Sequence, residues 1–155
     1  MKDPRTLTYT ELVEALQRTC ADEKQRDEKH DALCKIGACA MASISEMVAA
    51  YDCDLETAAG VCEDQEDAER RIQGDPLSIE YRATWTPGDT PEPEDAIILL
   101  TAGGPAVRIV AGLGRGGVTR AYLQVQDWFT PWTDVPCDPD TLVRYCEILG
   151  VGAEL

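Results

Sequence analysis

Residues 96–128 read AIILLTAGGPAVRIVAGLGRGGVTRAYLQVQDW, and they decide the fold. Two glycine clusters, Gly103-Gly104-Pro105 and Gly114-Arg115-Gly116-Gly117, separate three runs rich in Ile, Leu, Val and Ala. Tight glycine turns between apolar runs read as β-hairpins. Upstream, LSIEYRATW (77–85) alternates, with Leu77, Ile79, Tyr81 and Ala83 on one face and Ser78, Glu80, Arg82 and Thr84 on the other. A proline-rich acidic loop, TPGDTPEPED, joins it to the run at Ala96. Together these segments predict a four-stranded antiparallel meander. Asp138-Pro139-Asp140 then opens a helix, TLVRYCEIL, that Gly150 ends.

The N-terminal side of the chain is different. From Thr8 to Gln73 there is no proline, and Ala, Glu, Leu, Met and Lys dominate, a helix-favouring composition. Thr8 and Glu11 fit a capping box, and Leu12, Val13, Leu16 and Cys20 follow as an apolar stripe. Residues 21–31 are nearly all charged and are either an exposed part of one long helix or a break between two. Leu33, Ile36, Ala40, Ile44, Met47 and Tyr51 share one helical face. Asp52 or Asp54 is placed to cap a further helix running to about Gln73, closed by Gly74 and Pro76. The expectation is an α+β chain: an N-terminal helical region of about three helices over 1–74, then the meander and a C-terminal helix over 75–155, in one compact domain.

The charge narrows the functional classes. Of 155 residues, 29 are acidic and 14 basic, for a formal net charge of -15. Phosphates demand a basic surface, so direct nucleic-acid binding is disfavoured, as is an anionic membrane surface. A basic protein or ribonucleoprotein surface is the favoured partner, although solubility alone also explains acidity. No run approaches the ~20 apolar residues of a membrane span. MKDPRTLTYTEL carries no apolar run of the signal-peptide kind, so a cytoplasmic protein with reduced cysteines is expected.

Few motifs point to reaction chemistry. Gly112 to Gly117 superficially fits a nucleotide loop, but a strand-like segment follows where a helix N-terminus is required. The seven cysteines (20, 34, 39, 53, 62, 137 and 146) form no CxxC pair, and their spacings match no zinc module. His30 is the only imidazole, and its neighbours Glu28, Lys29 and Asp31 describe a solvated surface. No catalytic residue, metal site or cofactor is therefore assigned. Two constellations remain. Glu63, Asp64, Glu66, Asp67 and Glu69 place successive carboxylates along a helix, a spacing that can imitate a row of phosphates. Asp22, Glu23, Asp27 and Glu28 add to that charge, although such runs also occur as solvated helix faces. Trp85, Trp128 and Trp132, with Asp127 ordering the loop, are aromatic positions that either close the ends of the sheet or anchor a partner.

The elements DPLSIEYRATWTPG, TAGGPAVRI and LQVQDWFTPWT occur in that order between about Ile72 and Trp132. This stretch resembles a group of small uncharacterised proteins encoded by phages and prophages. The resemblance implies a common sheet core, with Trp85, Gly103, Gly104, Pro105, Asp127, Trp128, Pro131 and Trp132 as shared structural positions. The helical half lies outside it. The phage association implies an inhibitor of host defence, an anti-CRISPR protein included. In that reading an acidic, DNA-mimicking surface sits on a nucleic-acid-handling complex in the host cytoplasm. The rival expectation is a phage accessory protein that forms a homodimer through its helical half, using the Leu33–Tyr51 stripe. A Cys/His metal protein or enzyme ranks last.

Overall fold

The computed structural model describes residues 9–53, 62–85 and 87–153. Its elements are α1 (Tyr9–Tyr51), α2 (Gln65–Gly74), β1 (Ser78–Ala83), β2 (Pro93–Thr101), β3 (Ala106–Gly114), β4 (Gly117–Gln126), β5 (Thr133–Val135) and α3 (Pro139–Ile148). The chain divides into two units, Met1–Ala32 and Leu33–Leu155, and α1 contributes residues to both.

In the first unit the helix is continuous through residues 21–31, and every residue from Glu14 to Ala32 is exposed. The charged stretch does not break it because it contains neither glycine nor proline. Ion pairs at helical spacing, Glu14–Arg18 at 3.9 Å and Lys24–Glu28 at 4.0 Å, lie along it. Each such exposed pair is worth only about 0.3–0.5 kcal/mol. The expected helical region of about three helices is therefore corrected. Two helices precede the sheet among the described residues, because the first two expected helices are one. The capping residue Thr8 lies outside the described residues, as do residues 54–61, where the next helix was expected to begin. Asp52 is in the turn that ends α1 and caps no described helix; α2 is capped by Asp64.

The second unit is built on a five-stranded sheet in the order β1-β2-β3-β4-β5, every neighbouring pair antiparallel. This corrects the expected four strands. β5, with the sequence TDV, pairs Thr133, Asp134 and Val135 with Val125, Gln124 and Leu123. Three residues are too few to show a two-residue period. The Gly112–Gly117 motif is the β3–β4 hairpin, Gly114 pairing Gly117, with strand on both sides.

One face of the sheet is apolar in continuous rows. Ile98, Ile109, Leu123 and Val135 stand side by side across β2 to β5, with Ala96, Ala111 and Ala121 in the next row. All are buried, in one cluster with Leu33, Ile44, Met47 and Val48 of α1, Ile72 of α2, and Leu142, Tyr145 and Cys146 of α3. Each large aliphatic or aromatic side chain so buried contributes about 1.5–3 kcal/mol. One 18-residue window in α1 reaches a mean hydropathy of 1.4 and is 39% buried; by length and composition alone it is apolar enough to cross a membrane. Asp138 starts α3, accepting from Asp140 N at 3.2 Å and Thr141 Oγ1 at 2.7 Å. Arg144 ties α3 to the end of α1 through Asp52 at 2.7 Å.

Gly37 sets how closely α1 approaches the sheet. A Cβ there would lie 2.5 Å from Val135 Cγ2 and 3.6 Å from Val125 Cγ2. Alanine normally stabilises a helix over glycine by about 1 kcal/mol. Here the contact outweighs that preference, since overpacking costs about 1–3 kcal/mol. Gly37→Ala should lower the urea midpoint of unfolding. Gly37→Ala should cost less in a Val135→Ala background than in wild type, because only the 3.1 Å approach to the Cβ of residue 135 then remains; a Gly37→Ala chain more stable than wild type would show that no close approach exists.

Candidate interaction site

The acidic run on α2 is partly structural. Asp64 Oδ1 accepts the backbone N–H of Asp67 at 2.8 Å, and Asp67 Oδ2 accepts that of Glu63 at 3.3 Å. Asp67 also binds both following arginines, Arg70 and, at 3.0 Å, Arg71. Its hydrogen bond from Arg70 holds its carboxyl below the ordinary value, against a smaller opposing effect of burial. Two of the five predicted carboxylates thus organise the first turn, and Arg70 and Arg71 offset part of the charge. Glu63, Glu66 and Glu69 remain as exposed acids.

Asp22, Glu23, Asp27 and Glu28 belong to the first unit, on the exposed part of α1. Glu28 faces Lys24, but Glu23, Asp27 and Asp31 recur every four residues. At 1.5 Å per residue this stacks three carboxylates about 6 Å apart along one side of the helix. Like charges at that spacing destabilise an isolated helix by a few tenths of a kcal/mol per pair. The α1 and α2 runs fall in separate units, so each is a site by itself.

The aromatic residues separate into two environments. Trp132 is half-buried on the sheet face opposite the helices, with the Arg108 guanidinium 4.0 Å from its ring centroid. Arg108 Nε donates to Gln124 Oε1 at 2.8 Å, and Gln124 Nε2 donates to Asp134 Oδ1 at 2.8 Å. This polar ladder crosses three neighbouring strands. Burial, then the nearby Arg82, lowers the Arg108 pKa from its ordinary value. Trp85 and Trp128, by contrast, are 67% and 68% exposed, and Phe129 is fully exposed.

The Trp128–Phe129 tip is rigidly held. Asp127 Oδ1 accepts from Trp128 N at 2.8 Å, Asp127 O accepts from Thr130 N at 3.0 Å, and Thr130 Oγ1 accepts from Asp127 N at 2.9 Å. Gln126 Nε2 donates to Thr130 O at 2.9 Å. Phe129 lies at φ 62°, a left-handed conformation that disfavours residues with a Cβ. Trp128 lies against Gly104, where a Cβ would come 2.0 Å from the indole Nε1. Asp127 therefore orders the loop, as its position in QDW suggested. The exposure of Phe129 had no sequence signal beyond its place beside Trp128.

Of the stripe expected to serve a homodimer through the helical half, Leu33, Ile44 and Met47 are buried in one cluster with the chain's own sheet, and Ile36, Ala40 and Tyr51 are partly buried against it. A cavity of about 490 Å³ lies beside it, lined by Ile36, Ala40, Ile44, Asp75, Leu100 and Val107 among others. Asp75 there accepts a 2.5 Å hydrogen bond from the buried Tyr145 hydroxyl. Burial, then this carboxylate, pushes the Tyr145 pKa well above its ordinary value. Among the described residues no group of three His, Cys, Asp or Glu side chains is placed to hold a metal ion. No family model matches the chain, and no curated protein and no solved structure matches it.

Two outcomes follow from this geometry. Replacing Phe129 by glycine removes a left-handed, fully exposed side chain whose ring neighbour is the exposed Trp128, 6.5 Å away between centroids, so Phe129→Gly should keep or raise the melting temperature, whereas Asp127→Ala should lower it. A fall of several degrees in Phe129→Gly would instead give the ring a structural role. The cysteines should also separate by reactivity. Cys20, Cys39 and Cys53 are exposed, while burial pushes the Cys146 thiol up to about 12. Since the thiolate is the reacting species, native labelling near pH 8 should modify the three exposed cysteines and reach Cys146 only on unfolding.

Proposed function

We propose that this chain is a binding protein whose exposed acidic helix docks on the basic surface of a nucleic-acid-handling complex. An inhibitor of host defence encoded by a phage, directed for instance at a CRISPR effector, would work in this way. The observation that carries the reading is the stretch Glu14–Ala32 of α1, helical and exposed at every residue. Leu16 and Cys20 are themselves exposed and residues 22–31 are nearly all charged, so the stretch buries no apolar face, and most helical stability in proteins comes from such burial. It also carries Glu23, Asp27 and Asp31 in a row of like charges. A row of lysines or arginines on a partner would relieve that repulsion and would read the row as it reads phosphates.

The exposed acids Glu63, Glu66 and Glu69, on α2 and just before its start, supply a second acidic face, offset in part by Arg70 and Arg71. The reading makes the sheet a scaffold. It locates function in the helical half, where a surface charge can change without disturbing the core.

The test uses the whole chain, immobilised, with nuclease-treated host lysate. A captured complex should be released by heparin, a polyanion that competes for basic surfaces, and by raised salt. Glu23→Lys, Asp27→Lys and Asp31→Lys together should leave the fold intact and weaken capture on the order of tenfold or more. Capture that is insensitive to both heparin and the triple reversal would refute the acidic-surface reading.

A further inference from the structure

The sheet has an end that the helices do not cover. β1 lies at the edge of the strand order, and every residue of it except Ser78 is exposed. On the helix-bearing side Leu77, Ile79 and Tyr81 are 61%, 39% and 50% exposed. Apart from its ladder to β2, the backbone of Ser78–Ala83 makes no hydrogen bond among the described residues. The strand is also regular. The irregularity near its end inserts Glu94 into β2, since Arg82 pairs with Asp95 and Ala83 with Pro93. An exposed, regular edge with apolar side chains is the usual template for adding another strand.

We propose that β1 pairs with β1 of a second copy of this chain, antiparallel, about a two-fold axis at Tyr81. One sheet then runs continuously through both copies. The charge pattern of the strand argues for this occupant and this register. Centred on Tyr81, Glu80 of each copy stands opposite Arg82 of the other, on the face away from the helices. On the helix-bearing face Tyr81 meets Tyr81, Ile79 meets Ala83, and Leu77 comes opposite the exposed Trp85. Opposite charges and aromatic or aliphatic pairs directly across strands stabilise a sheet.

The neighbouring registers are excluded by the same rule. Centring on Glu80 sets Glu80 against Glu80, and centring on Arg82 sets Arg82 against Arg82. Like charges directly opposite are destabilising. A register with paired residues of unequal parity would turn the apolar face of one copy to the other side of the sheet. The composition of the edge points the same way. In a chain of net charge -15, β1 carries one glutamate and one arginine and is neutral. Edge charges of one sign would make copies repel when paired. This strand has the opposite signs, two residues apart, that self-pairing requires. The contact is independent of the acidic helix and stands whether or not that helix binds a basic partner.

The experiment is sedimentation equilibrium on the full chain with a charge swap. Wild type should sediment at about twice the monomer mass of 17.0 kDa. Glu80→Arg and Arg82→Glu, each alone, place like charges across the two-fold axis and should give monomers. The double variant Glu80→Arg/Arg82→Glu restores opposite pairs and should recover the dimer. Far-UV circular dichroism of each variant keeps loss of pairing separate from loss of fold. A monomeric wild type at high micromolar concentration overturns the proposal, as does a dimer that persists in both single variants. A double variant that folds but stays monomeric overturns the register.

Discussion

The sheet has a single apolar face, and what covers that face governs the rest of the second unit. Ile98, Ile109, Leu123 and Val135 run across four strands and are buried together. Their cover comes from α1 beyond Ala32, from Ile72 and from α3, with Gly37 close enough to Val135 that no side chain fits at that position. The cover does not extend to β1. Ile79 sits beside Ile98 in the same row and on the same face, yet it is exposed while Ile98 is fully buried. The opposite face needs no helix over it. Its central rows are closed by Ile97 and Val110, both buried, and by Arg108 lying on Trp132 and reaching Gln124.

Much of this was legible in the sequence, and what was not has physical causes. The strands from Ala96 to Gln126 could be read because apolar runs and glycine turns are local signals. Asp138 could be read as a helix start for the same reason. Whether residues 21–31 continue a helix cannot be read from periodicity. A helix with no buried face has no apolar period to detect, and only the lack of glycine and proline favours continuity. β5 was missed because three residues carry no pattern. Asp64 and Asp67 were read as display charges, although an acid at the cap and another three residues on is the spacing of reciprocal capping. That signal was present in the sequence and was outweighed by the length of the acidic run.

The aromatic residues illustrate a different limit. Tryptophan in a turn-rich segment is compatible with burial and with display, because local sequence does not say what covers it. Trp132 is held under an arginine that arrives from β3, a partner remote in the chain. Trp85 and Trp128 have no such cover. The cost of exposing Phe129 in a left-handed conformation is met locally, by the bonds of Asp127, Gln126 and Thr130. A strained residue that persists only because its neighbours over-determine it is more common at interaction sites than elsewhere.

Net charge overstates the acid that is available to a partner. Asp52 is held by Arg144, Asp75 by Tyr145, Asp64 and Asp67 by the first turn of α2, and Asp138 by the first turn of α3. These carboxylates serve the fold and are already bonded, so they add little to a docking surface beyond their long-range field. The remaining acidity is concentrated where packing is least, on exposed turns of α1 and on Glu63, Glu66 and Glu69. The two kinds of surface are therefore physically distinct. The helix offers a charged row that tolerates substitution because nothing packs on it. The β1 edge offers a neutral strand whose use depends on register, where a single charge in the wrong place is enough to prevent pairing. A partner selected by the first is chosen by field and salt-sensitive attraction, and a partner selected by the second is chosen by side-chain order along six residues.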